Sequence, residues 1–216
     1  MVIVKEKDFV EVSYTGKVKE TDQIFDLTDE ETAKKEKLFN PKAEYGSKII
    51  CIGEHQILKE LDHQLIEKEV GKEYTIELSP EKAFGNKDPN LVKIVPTSVL
   101  HEQKIRPFPG LQINASGLIG TIRTVNGGRT TIDFNHPLAG KNIIYNIKIN
   151  RVITDNKEKV EGLTNNLLGL RKKEFEIKLD GNKAEIKLNK NKLAENIKEE
   201  FKRKVKDLVS LDVTFN

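Results

Sequence analysis

The chain has 216 residues, more than one typical domain and fewer than three, and its 37% hydrophobic content is enough for ordinary cores. Its formal net charge of +3 is too small to indicate a nucleic-acid partner, and no apolar run approaches the ~20 residues that cross a bilayer. We therefore expect a soluble, cytoplasmic protein of two or three small units, with neither nucleic acid nor membrane as a partner.

Alternating apolar and polar residues predict three strands of one sheet. They are FVEVSYTGKV at 9–18, EYTIEL at 73–78 and IIYNIKI at 143–149, and SKIICIG at 47–53 is a shorter candidate. A short helix is predicted before Gly71, because one face of it would carry five apolar residues: Ile57, Leu58, Leu61, Leu65 and Ile66.

The chain between these strands predicts a second unit. Residues 87–134 contain LVKIV, a possible short helix TSVLHEQ, and the hairpin LIGTIRTVNGGRTTIDF, whose Asn126-Gly127 pair is a strong turn signal. We expect an α+β fold, in which residues 1–86 and 135–154 form an antiparallel β-sheet wrapped on a short helix. Residues 87–134 then form an inserted small β-rich domain.

The tail, residues 155–216, predicts a C-terminal α+β domain. It contains a helix candidate, the hairpin FEIKL-DGN-KAEIKL, an amphipathic helix at 192–209 and a last strand VTF. The basic stretch KRKVK at 202–206 could contact phosphates, but a solvated helix face is the better interpretation. The short strands have edges that need covering, so self-association as a homodimer through this domain is possible.

Cysteine and histidine give no metal pattern. Cys51 lies in the apolar run IICI, which favours a core position over a nucleophile. We expect no metal and no cofactor, and we interpret His136 as a turn residue. The four histidines show neither an i,i+4 pair nor a Cys-x-x-Cys companion: His55, His63, His101 and His136.

Four segments in order resemble the FKBP-type peptidyl-prolyl isomerases: YTG at 14–16, IFDLT at 24–28, VGKEYTIELSPEKAFG at 70–85 and NHPLAGKN at 135–142. The position of the insert resembles the SlyD-type branch with its insert-in-flap domain, and the long tail resembles archaeal members. The resemblance implies rotamase activity, cis-trans isomerisation of X-Pro bonds in folding polypeptides, with chaperone activity from the insert.

The resemblance also implies a proline pocket. Its catalytic residues would be Tyr14, Phe25, Asp26 and Tyr145, and its substrate-binding residues would be Ile57, Leu58, Leu61, Phe84 and Leu138. Leu61 stands where many relatives have a tryptophan, and Phe84 stands where relatives usually have a tyrosine whose hydroxyl bonds the substrate. Without the resemblance, the apolar members are plain core residues and Asp26 is a turn residue.

Two functions stay open for the insert and for the whole chain. The apolar residues around LVKIV, Val99, Leu100 and the RPFPG segment either bind unfolded chains or pack against their own hairpin. The whole protein is either an isomerase or a non-catalytic holdase on the same fold. The combination of Tyr14, Phe25, Asp26 and Tyr145 favours the enzyme.

Overall fold

A computed structural model of the chain describes residues 2–115, 117–189 and 193–216. Its contacts divide it into two compact units. The first unit contains Met1–Leu78 and Ile143–Asn216, and the second contains Ser79–Asn142. Among the described residues, no helix is both long and apolar enough to cross a membrane.

The described residues before residue 143 include eight strands and three α-helices. In chain order they are β1 (Phe9–Val18), β2 (Ile24–Leu27), α1 (Glu30–Lys35), β3 (Lys48–Cys51), α2 (Lys59–Gln64), β4 (Glu73–Leu78), β5 (Val92–Pro96), α3 (Thr97–Glu102), β6 (Gln112–Ala115), β7 (Leu118–Asn126) and β8 (Arg129–Asp133). From residue 143 onward, the strands and α-helices are β9 (Ile143–Val152), α4 (Asn156–Leu168), β10 (Phe175–Asp180), β11 (Lys183–Leu188), α5 (Glu195–Val209) and β12 (Asp212–Phe215).

The main sheet of the first unit has the order β2-β1-β9-β4, and β3 also pairs with β1. All of these pairs are antiparallel. The strands predicted at 9–18, 73–78 and 143–149 are confirmed, because apolar side chains every second residue bury one face of each strand.

The helix α2 is shorter than its apolar stripe predicted. It begins at Lys59, since Leu58 is the N-cap in a non-helical conformation with φ −52° and ψ 129°. It ends at Gln64. Ile57 and Leu58 therefore precede the helix, whereas Leu61 lies within it and is fully buried.

The C-terminal segment forms a three-stranded sheet, β10-β11-β12, with the helices α4 and α5. β10 and β11 form the predicted hairpin, and β12 adds to β11 in parallel. The amphipathic helix begins at Glu195, and its predicted start at Lys192 lies outside the described residues. The segment shares one hydrophobic core with Phe9 and Cys51 of the main sheet. The division into three domains stays a prediction.

The second unit is a four-stranded antiparallel sheet of order β5-β8-β7-β6, with α3 beside it. Leu100, Ile122 and Ile132 are its buried core. The predicted turn between β7 and β8 is confirmed, with Gly127 and Gly128 at φ 56° and 74°. Positive φ favours glycine because a Cβ atom is strained there.

Within the second unit, the chain segments that enter and leave its sheet lie close together. The backbone N–H of Asp88 donates to Asn135 Oδ1 at 2.8 Å, and the Asn135 amide donates back to the Asp88 carbonyl at 3.0 Å. The N–H of Gly140 donates to the carbonyl of Gly85 at 2.8 Å. The segments 85–88 and 135–140 therefore lie side by side.

Candidate active site

The antiparallel ladders bring one row of residues together across four strands. Asp26 on β2 lies opposite Gly16 on β1, which lies opposite Tyr145 on β9, which in turn lies opposite Ile76 on β4. Directly opposed residues point to the same face of a sheet. Tyr14 is two residues from Gly16 on β1 and shares that face. The sequence-predicted residues Asp26, Tyr145 and Tyr14 therefore converge.

Three aromatic rings pack over this row. The ring centroids of Tyr14 and Tyr145 are 5.7 Å apart at 71°, and those of Phe25 and Tyr145 are 5.8 Å apart at 88°. Edge-to-face pairs of this kind are favourable beyond the area that they bury. Gly16 lies beneath two of the rings, since a Cβ atom there would lie 2.8 Å from Tyr145 Cε1 and 2.9 Å from Phe25 Cζ.

The hydroxyl of Tyr14 is held between a carboxylate and an ammonium group. It accepts a hydrogen bond from Lys48 Nζ at 2.9 Å and lies within the electrostatic influence of the Asp26 carboxylate. Burial raises the pKa of Tyr14, and the neighbouring charge of Asp26 raises it further. Burial also raises the pKa of Tyr145, with a smaller contribution from the charge of Asp26. Both phenols are protonated at neutral pH.

The other predicted residues of the first unit lie at the start of α2. Ile57 and Leu58 are half-buried in the loop before the helix, and Leu61 is fully buried within it. The N–H groups in the first turn of a helix have no carbonyl partner inside that helix. α2 packs against β4.

Two predicted substrate-binding residues, Phe84 and Leu138, belong to the second unit. Phe84 stacks on His136, with ring centroids 4.8 Å apart and planes 5° apart. His136 Nδ1 accepts the backbone N–H of Leu138 at 3.2 Å, which confirms the predicted turn role of this histidine.

Sequence reasoning missed Gly16, Lys48 and Thr28. Gly16 had a signal, because it ends the YTG triplet and only a residue without a side chain fits under the rings. Lys48 had none, since it meets Tyr14 through the pairing of β3 with β1. Thr28 is buried, and its hydroxyl accepts the backbone N–H of Tyr14 at 2.9 Å, which ties β1 to the end of β2.

Known proteins resemble this chain along most of its length. A family model described as FKBP-type peptidyl-prolyl cis-trans isomerase matches residues 2–101, and one described as FKBP26, IF domain, matches residues 93–138. A short-type peptidyl-prolyl cis-trans isomerase from Methanocaldococcus jannaschii is 33% identical over 150 residues, which cover 69% of this chain and 94% of that protein. This chain belongs to the FKBP-type peptidyl-prolyl cis-trans isomerases.

More distant relatives match the isomerase over a shorter range. An FKBP-type 16 kDa peptidyl-prolyl cis-trans isomerase from Escherichia coli is 28% identical over 102 residues, covering 45% of this chain and 68% of that protein. An FKBP-type isomerase named SlyD from Helicobacter pylori is 26% identical over 102 residues, covering 45% and 55%. The protein is thus a SlyD-like, FKBP-type isomerase.

The second unit of the isomerase exposes apolar side chains. Ile94 and Ile119 are 65% and 64% exposed, and both lie on the sheet face opposite the core residue Ile132. Val99 and Phe108 are exposed as well, whereas Leu100, which the sequence offered as a binding residue, is buried in the core. The exposed set in this unit is Leu91, Val92, Ile94, Val99, Phe108, Leu118 and Ile119.

Proposed function

We propose that the isomerase rotates X-Pro bonds at the cluster of Tyr14, Phe25, Asp26 and Tyr145. The observation that supports this best is the packing of Tyr14 and Phe25 against Tyr145, with two of these rings over Gly16 and the charge of Asp26 acting on both tyrosines. Rotation has to overcome an amide resonance barrier of ~18–20 kcal/mol. No covalent step is required.

The chemistry of this cluster suits that barrier. A twisted X-Pro amide has lost conjugation, and its carbonyl is less dipolar than that of the planar amide. A dry aromatic cleft therefore disfavours the twisted amide less than it disfavours the planar one. Asp26 holds Tyr14 in place and lies near the twisting carbonyl.

Substrate contacts are proposed for the remaining family positions. Ile57 and Leu61 would contribute apolar walls to the proline pocket, and the backbone N–H of Leu58 would donate a hydrogen bond to a substrate carbonyl. Phe84 and Leu138 would contact the substrate as well. Phe84 has no hydroxyl, and one neutral hydrogen bond of ~0.5–1.5 kcal/mol is worth at most roughly tenfold in rate, so activity survives its absence.

The proposed site is tested with a protease-coupled assay on a short Xaa-Pro peptide. Asp26→Ala and Tyr145→Ala should each lower the isomerisation rate while the far-UV circular dichroism stays that of the folded protein. Full activity in both variants would show that the site lies elsewhere.

We also propose that the second unit binds unfolded, proline-containing polypeptides. The exposed Ile94 and Ile119 on one sheet face support this, because apolar side chains grouped on a surface bind apolar partners. Binding there raises the local concentration of prolines for the same chain's isomerase site. Replacing residues 88–133 with a short Gly-Ser loop should leave peptide isomerisation intact and reduce catalysis of proline-limited refolding by ~10² or more. Undiminished refolding would exclude client binding by this unit.

Self-association through residues 155–216 stays a proposal. The edge strands β10 and β12 of the C-terminal sheet support it, since each has one unpaired side within the described residues. Light scattering of the full chain gives its mass directly. A monomeric mass over the working concentration range would remove the proposal.

A further inference from the structure

Two side chains fix the loop that precedes α2, residues 51–58. Gln56 turns back, and its Oε1 accepts the backbone N–H of Cys51 at 2.9 Å. The buried carboxylate of Asp62 accepts the N–H groups of Gly53 at 3.1 Å and His55 at 2.9 Å. The loop ends with Ile57 and Leu58, so its conformation sets where these two residues lie.

The C-terminal helix α4 reaches the same loop. Asn166 Nδ2 donates to Gln56 Oε1 at 3.0 Å and to the carbonyl of Ile49 on β3 at 2.7 Å. Gly162 lies four residues earlier and so on the same face of α4. A Cβ atom there would lie 2.8 Å from Ile49 Cγ2, so a glycine is what lets the helix approach this closely.

The side-chain amide of Gln56 forms its hydrogen bonds through the oxygen. Its Oε1 accepts two hydrogen bonds, from Cys51 and Asn166. Its Nε2 is buried and has no hydrogen-bond partner in the part of the chain that the structure describes. A buried polar group without a partner is unfavourable. A methionine of similar length would avoid that cost but would lose both bonds to the oxygen.

We propose that Asn166 is a positioning residue of the isomerase: through Gln56 it holds residues 51–58, and with them Ile57 and Leu58, in the substrate-accepting conformation. This rests on the proposed function, which assigns substrate contacts to Ile57 and Leu58. The C-terminal segment thereby supports catalysis through the loop before α2. The loss of one neutral hydrogen bond corresponds to about two- to tenfold in rate.

Two neighbouring asparagines of α4 provide the test. Asn166→Ala in the full chain should lower kcat/KM on a short Xaa-Pro peptide by about two- to tenfold. Asn165→Ala is the matched control, because its Nδ2 donates to the carbonyl of Leu170 at 2.8 Å, inside the C-terminal segment. It should leave kcat/KM unchanged. Equal values for the two variants, measured well below their melting temperatures, would overturn the proposal.

A double-mutant cycle tests the route through Gln56. Gln56→Met should lower kcat/KM at least as far as Asn166→Ala does, and adding Asn166→Ala to it should cost nothing more. Fully additive losses would overturn the route. Hydrogen exchange gives a readout independent of activity: backbone amides of residues 51–58 should exchange faster in Asn166→Ala than in Asn165→Ala, and equal exchange would contradict the proposal.

Tyr145→Ala in the same assay separates this inference from the proposed site. An unchanged rate for Tyr145→Ala would reject the proposed site itself. A low rate for Tyr145→Ala together with equal rates for the two asparagine variants would reject only the positioning role of Asn166.

Discussion

Gly16 lies opposite Tyr145 in the pairing of β1 with β9, and a Cβ atom on Gly16 would lie 2.8 Å from Tyr145 Cε1. Phe25 Cζ would be only 2.9 Å away. The aromatic cluster therefore requires a glycine at position 16, and Gly16 belongs to the proposed site.

The first prediction is that Gly16→Ala moves these rings and lowers peptide isomerisation about tenfold or more. Overpacking a tight site costs typically ~1–3 kcal/mol, and the strain here falls on Tyr145 and Phe25. The protease-coupled assay on a short Xaa-Pro peptide measures the rate.

Gly120→Ala is the control for that substitution. A Cβ atom there would lie 2.6 Å from Phe134 Cε1 in the second unit, so the strain is similar but does not touch the aromatic cluster. We expect this variant to lose thermal stability and to keep its peptide activity. A Gly16→Ala protein with the wild-type rate would contradict the role given to the cluster.

The second prediction concerns the hydroxyl of Tyr14. Tyr14→Phe keeps the ring contact with Tyr145 but removes the hydrogen bond from Lys48 and the interaction of the hydroxyl with the charge of Asp26. We expect a rate lower by about tenfold or more, because a hydrogen bond to a charged group contributes ~1.5–3 kcal/mol. Tyr74→Phe is the matched control, because among the described residues the Tyr74 hydroxyl bonds the backbone of Glu69. The two variants should differ in kcat/KM; the same value for both would refute this assignment.

Local sequence patterns predicted the main strands well. Alternation of apolar residues depends only on which side chains face the core, so β1, β4 and β9 could be located from their own residues. The family resemblance predicted Tyr14, Phe25, Asp26 and Tyr145 as site residues, and three of them share ring contacts. Periodicity failed at the start of α2, where Ile57 and Leu58 fit the apolar stripe but precede the helix.

Contacts between distant segments could not be predicted. Lys48 reaches Tyr14 because β3 pairs with β1 in one particular register, and no local pattern encodes that register. Asn166 and Gln56 are 110 residues apart in the chain. An asparagine on a helix is ordinarily interpreted as a solvated residue, so the bond of Asn166 to the loop before α2 had no signal in the sequence.

The third prediction is a pH effect at Asp133 in the second unit. Burial alone would raise the pKa of this carboxyl, but hydrogen bonds from Asn135 and Arg123 and the charge of Lys87 lower it from 3.8 to about 2. A lowered pKa in the folded state means that the carboxylate stabilises the fold at pH values above 3.8. That contribution is lost as the pH falls through about 2.

The melting temperatures of the wild type and of Asp133→Asn, measured between pH 5 and pH 2, test this prediction. The variant should be less stable at pH 5, and the difference between the two proteins should shrink as the pH falls. Other carboxyl groups titrate equally in both proteins, so they cancel in the difference. A difference that stays constant over this range would contradict the stabilising role of the Asp133 charge.

The last prediction tests client binding at the second unit by substitution of two residues. Ile94 and Ile119 are 65% and 64% exposed on the face opposite the core, so replacing both with serine removes apolar surface without opening a cavity. Burial of apolar area contributes roughly 25 cal/mol per Å², so the double variant should bind unfolded polypeptides more weakly. Catalysis of proline-limited refolding should fall by about tenfold or more. Isomerisation of a short peptide should not change, because Tyr14, Asp26 and Tyr145 are untouched.

The matched control for that double variant replaces two exposed apolar residues of the C-terminal segment with serine. Leu179 and Ile197 are 38% and 42% exposed. This control should retain refolding activity, because it leaves the second unit unaltered. If both double variants catalyse refolding as the wild type does, the apolar face of the second unit has no part in client binding. If both lose refolding activity equally, exposed apolar residues contribute wherever they lie, and the second unit has no special role.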